Sequence, residues 1–133
     1  MAKTKPKPLP KAVREMMAEK SAILARARAF EDIGMSETAL PLWLDAAQHE
    51  ERLSPVLESL GREREAALHR VSAGSCFQKG RDFARAANLF RAALGGALRD
   101  DTRREVERML ARCLREVGRT AKAKNGVRSG AEG

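Results

Sequence analysis

Five arginines, Arg104, Arg108, Arg112, Arg115 and Arg119, recur at spacings of four, four, three and four. On an α-helix this spacing sets all five guanidinium groups on one face. A planar guanidinium grips a carboxylate through two parallel N–H donors, so the row suits an acidic peptide segment or a free carboxylate. Glu105 and Glu116 lie one turn away on the same helix and offer the arginines local partners instead. The remaining candidates for chemistry are two histidines and two cysteines. His69 and Cys76 stand seven residues apart on one helical face, the spacing a thiol nucleophile and its base could use. Yet Cys76 follows Gly74 by two residues as Cys113 follows Ala111, a repeated placement that fits packing. His49 and His69 have no C-x-x-C or H-E-x-x-H companions, and no glycine-rich phosphate loop follows a strand. These residues predict no catalytic, metal or cofactor site.

The elements that position the arginines follow from periodicity. Prolines at 6, 8 and 10 alternate with lysines in "MAKTKPKPLP", which favours an extended, disordered arm over residues 1–10. Apolar residues at Val13, Met16, Met17, Ile23, Leu24, Ala27, Phe30 and Ile33 predict a helix from Lys11 to Ile33, stopped by Gly34. Ser36 and Glu37 read as the cap of a second helix ending near Arg52. Ser54-Pro55 then reads as the start of a long third helix that ends near Gly80. Asp82 caps a fourth over 83–94, stopped by Gly95-Gly96. "TRRE" at 102–105 has the form of a capping box and predicts a fifth helix to Val117, with Gly118 as its stop. Residues 119–133 read as a disordered basic tail.

Composition agrees with an all-α chain: aromatics are 4%, tyrosine is absent, and alanine, leucine, arginine and glutamate dominate. The net charge of +8 sits in the tails. Residues 1–14 and 119–133 carry nine basic groups against Glu132, while 15–118 carries seventeen of each sign. Within that neutral core, 15–58 has four basic and nine acidic groups, and 59–118 has thirteen and eight. Basic tails without aromatics predict at most weak, non-specific nucleic-acid binding. No apolar run reaches the ~20 residues of a membrane span, and no signal-peptide core is present. With two cysteines read as small buried residues, a cytoplasmic location is expected.

A repeat emerges at an offset of 47 residues: Ala27 with Gly74, Phe30 with Phe77, Ala39 with Ala86, Trp43 with Phe90, and Ala46 with Ala93. Small residues let helix axes approach, and large ones fill the space beside the crossing. This small–aromatic–small–aromatic–small order resembles the tetratricopeptide repeat, a helical hairpin of about 34 residues. The resemblance covers 20–53 and 67–100, with part of a third copy at Ala111, Leu114 and Gly118. The chain departs from the family in its longer period, in Arg70 where a large apolar residue is usual, and in missing or displaced prolines. The resemblance implies a short α-solenoid of about five helices over 11–118, with the first helix of each pair lining a concave groove. The lining positions are then Leu24, Arg28, Glu31 and Asp32, next Leu68, Val71, Ser75 and Gln78, and last Arg104, Arg108, Arg112 and Arg115. They form an acidic end, an apolar middle and an arginine end. The lysine–asparagine clamp of some family members is not reproduced, since those positions hold Leu24, Arg28, Val71 and Ser75. The expected function is a protein-binding scaffold or adaptor that takes an acidic or C-terminal peptide segment, with self-association through exposed ends. A nucleic-acid accessory role for the tails, or a chaperone for a secreted or membrane-inserting partner, are the alternatives.

Overall fold

The computed structural model describes residues 8–132, with side chains as far as Lys124. Most of the expected N-terminal arm and the last residue of the tail lie outside the described residues. Five helices follow one another: α1 (Lys11–Asp32), α2 (Ser36–Ser59), α3 (Glu63–Lys79), α4 (Phe83–Leu94) and α5 (Asp100–Glu132). The described residues contain no strand. The main packing contacts join helices adjacent in sequence, α1 to α2, α2 to α3, α3 to α4 and α4 to α5. Short connections make each such pair antiparallel, and the stack is serial.

Three of the four connections are the same turn. The N–H of Met35 donates to the Phe30 carbonyl at 2.8 Å, Arg62 to Leu57 at 2.9 Å, and Asp82 to Phe77 at 2.8 Å. This is the six-to-one bond that closes a helix through a left-handed residue. Gly34 and Gly61 fill that position at φ +80° and +78°, and Arg81 fills it at +65°. Glycine takes this conformation without a Cβ penalty, which explains the stops at 34 and 61. The fourth connection is closed by Arg103, which donates to the Leu94 and Gly96 carbonyls at 2.7 and 3.2 Å.

Several expected boundaries move. Ser54-Pro55 opens no helix: α2 runs straight through Pro41 and Pro55 to Ser59, and the break falls at Gly61. Ser54 instead donates its hydroxyl to the Glu50 carbonyl at 3.0 Å, inside a continuous helix. Burial of Leu53 and Leu57 on the core face holds this segment together across the proline. Ser36 does not cap α2; it is the first helical residue, and its hydroxyl donates to Glu31 Oε2 at 3.1 Å. Asp82 does cap α4, accepting the Arg85 N–H at 3.2 Å. The capping box at Thr102 is displaced, because α5 starts at Asp100, with Asp100 and Asp101 placed where a helix N-terminus favours acid. Nor does α5 stop at Val117: it continues through Gly118 and residues 119–132, assigned above to a tail.

The repeat residues meet in one core. Ala27, Ala39, Trp43, Ala46, Phe77, Ala86, Phe90 and Ala93 are all buried, together with Val106 and Cys113 of α5. Gly74 packs so tightly against Phe90 that a Cβ there would fall 2.6 Å from Cε1 of the ring. That close approach is the physical reason for a small residue at this crossing. Phe30 is only half-buried while Phe77 is fully buried, since α2 and α4 flank α3 on both sides and, among the described residues, α1 packs chiefly on α2. The residues that stretch the repeat to 47 build a second cluster. Val13, Leu53, Leu57 and Ala66 pack there with Leu9, Met16, Met17 and Val56. The extra length lies in the end of α2 and the start of α3, with Gly61 between them.

Candidate functional site

The expected lining residues fall on three helices, and the structure treats them unequally. On α3, Leu68 is 51% exposed, and Val71, Ser75 and Gln78 are half-buried along the same face. Leu24 of α1 is half-buried against the core, and Arg28 is exposed. Glu31 is committed to the fold: one carboxylate oxygen accepts from the Trp43 indole N–H at 3.1 Å and the other from Ser36. The end expected to be acidic is therefore mixed. Arg28, Glu31, Asp32, Trp43 and Lys79 line one shallow pocket there, and the Lys79 ammonium sits 4.4 Å from the centre of the Trp43 ring.

The arginines of α5 face away from buried Val106 and Cys113, so their row points outward. Arg108, Arg112 and Arg115 share a second pocket with Ala111. Arg108 donates twice to Glu105 Oε2, at 3.1 and 2.7 Å, and Arg112 reaches Oε1 of the same carboxylate at 3.7 Å. The Arg108 hydrogen bond, then its charge, holds the Glu105 carboxyl below the usual carboxylate range. Arg119 pairs with Glu116 at 2.9 Å. Arg104 and Arg115 have no ion pair among the described residues. Ser75 connects the two rows: its hydroxyl donates to Met109 Sδ at 3.8 Å. Glu105, Met109 and Arg112 lie along one flank of α5 at spacings of four and three, so the α3 face runs directly into the arginine side.

A buried polar centre was not anticipated. Glu50 of α2 is 2% exposed and stands between Lys20 of α1, 3.1 Å from Oε1, and His69 of α3, whose Nδ1–H donates to Oε2. Three helices are tied at one carboxylate. A carboxylate accepts only, so the contact fixes His69 with its proton on Nδ1. The signal was present at positions 43, 46, 47, 50, 53 and 57, where one glutamate interrupts an apolar stripe. Ending the second helix at Arg52 hid that register.

His69 is thus occupied by Glu50, and Cys76 is buried at 5% exposure. Burial and, after it, the Glu50 charge push the Cys76 thiol up to about 11, which keeps it protonated near neutrality. Burial also raises Cys113. Among the described residues no group of acid, histidine and cysteine side chains could hold a metal, and no helix is long and apolar enough to cross a membrane. The fold defines an all-α chain of five serial helices. No protein-family model, curated protein or solved structure matches it.

Proposed function

We propose that the protein is a scaffold that binds a segment of another protein along the face shared by α3 and α5, in the manner of the tetratricopeptide-like hairpins it resembles. The segment is extended, with an apolar residue seated at Leu68 and Val71 and carboxylates on the arginines of α5. One observation carries this reading: the Leu68–Val71–Ser75–Gln78 row continues through the Ser75–Met109 contact into the Glu105–Met109–Arg112 flank, which borders Arg108. Guanidinium groups with solvated heads bind carboxylates without first being drawn out of a core. The intrahelical pairs with Glu105 are solvent-exposed and weak enough to be exchanged for an incoming acid.

A peptide-display selection against the full chain tests this. Acidic segments with one or two apolar residues should be enriched. The Arg108→Glu/Arg112→Glu variant, with unchanged helicity, should bind them at least about tenfold more weakly, which is only about 1.4 kcal/mol. Arg108→Lys/Arg112→Lys should fall between the two, because charge stays and the planar fork is lost. Enrichment without acidic character, or equal binding by the reversed variant, would remove the arginines from the site.

A further inference from the structure

The helix α1 leaves one face uncovered. Val13, Ile23 and Ala27 turn inward, and on the opposite face Ala18, Ala22, Ala25 and Ala29 are exposed, with Ile33 beyond them at 69% exposure. The charges beside this face are what make it informative. Arg14 and Asp32 flank it on one side, Glu19 and Arg26 on the other, as 100° per residue dictates. The side chains of Arg14, Arg26 and Asp32 have no ion-pair or hydrogen-bond partner among the described residues. Glu19 is 67% exposed, with His49 Nε2 at 3.5 Å.

We infer that this face docks a second copy of the chain, with the two α1 helices antiparallel about a two-fold axis passing between them near Ala22 and Ala25. In that arrangement each residue faces one whose number complements it to about 46, and each flank meets the same flank of the partner copy. Arg14 then meets Asp32, and Glu19 meets Arg26, each twice by symmetry. Ala18 faces Ala29 and Ala22 faces Ala25, small side chains that allow axes to approach to about 8 Å. In a parallel pairing each flank would meet the other flank at equal heights, with Arg14 and Glu19 about five residues out of level and Asp32 and Arg26 about six, whereas the antiparallel order sets Arg14 level with Asp32 and Glu19 level with Arg26. α1 as a whole, with five basic and four acidic groups, can lie against itself. The five-arginine face of α5 cannot do so without repulsion. The contact from Arg14 to Asp32 spans roughly 27 Å of helix. One helix pair of this length lies at the small end of specific interfaces, so a reversible dimer in the micromolar range is expected.

Sedimentation velocity of the full chain from about 1 to about 500 µM, with circular dichroism on every variant, tests the inference. A concentration-dependent monomer–dimer equilibrium is expected. Ala22→Arg, which adds bulk and like charge at the centre, should weaken it at least about tenfold at unchanged helicity. Asp32→Arg should weaken it about fivefold or more, and Arg14→Glu/Asp32→Arg should recover affinity to within about threefold of the parent. Arg108→Glu/Arg112→Glu should leave the dimer unaltered. A chain that stays monomeric throughout, a dimer indifferent to Ala22→Arg, or a double variant no better than Asp32→Arg alone each overturns the proposal.

Discussion

Gly74 and Gly118 both lie inside helices, and the same substitution should have opposite effects at the two sites. Glycine to alanine in a helix gains about 0.5–1 kcal/mol from backbone entropy. At Gly118, among the described residues, the new Cβ meets nothing within 4 Å beyond its chain neighbours and its own helix backbone, so the gain is kept. At Gly74 the Cβ meets Cε1 and Cδ1 of Phe90 at 2.6 and 2.7 Å. Carbon atoms rest about 3.5–4.0 Å apart, so the ring or the helix must move by about 1 Å. Phe90 is fully buried and has no open side to move toward. Overpacking of this kind costs about 1–3 kcal/mol, which exceeds the propensity gain. Gly74→Ala should therefore lose about 1–2 kcal/mol and Gly118→Ala should gain up to about 1 kcal/mol. Urea unfolding of the full chain at fixed protein concentration measures both. Gly74→Ala/Phe90→Leu should lose less than the two single losses combined, by about 1 kcal/mol, because the smaller side chain relieves the clash. A neutral or stabilising Gly74→Ala would refute the close crossing of α3 and α4.

Two further predictions concern the polar centre. Glu50→Ala leaves Lys20 and His69 facing each other without their shared acceptor, and should cost about 3–5 kcal/mol in urea unfolding. A loss under about 1 kcal/mol would mean that Lys20 and His69 both reach solvent unaided. The Cys76 thiol, held up to about 11 in the fold against 9.0 for a free thiol, ties stability to alkaline pH. Between those values the unfolded chain gives up its proton while the folded chain keeps it, so stability is full below pH 9 and declines as pH rises toward 11. The decline should be roughly 2 kcal/mol, read from urea midpoints across that range, and absent in Cys76→Ala.

The sequence was legible where a rule is local. The start of α1, the stops at Gly34, Gly80 and Gly95, and the cap at Asp82 all follow from short-range chemistry. The offset of 47 located the core residues because small and aromatic positions must alternate wherever antiparallel helices cross. The boundary between α2 and α3 was misplaced because Ser54-Pro55 has the form of a helix start in isolation. What overrides it is the burial of Leu53 and Leu57 in a cluster reached only through tertiary packing. Gly118 was misleading for a related reason. It occupies the position in α5 that Gly34 and Arg81 hold at the earlier turns, yet among the described residues no second helix folds back over Ala111 and Leu114, and α5 continues as one helix. Of the outward residues, the arginine row was readable from spacing. The commitment of Glu31 to Trp43 and Ser36 was not, because a helical period places a side chain on a face without naming its acceptor or donor.

The serial order of the helices also bears on how the chain comes to be folded. When each helix packs chiefly on the one made just before it, most contacts close short loops, and the entropic cost of bringing distant segments together stays small. Topologies rich in local contacts reach the native state in microseconds to milliseconds, and here each hairpin can form as soon as its turn at Gly34, Gly61 or Arg81 is set. The Glu50 centre is the exception, since it recruits Lys20 and His69 from opposite sides of α2. It can close only after α1, α2 and α3 have met, which makes it a late event that locks three helices already in place.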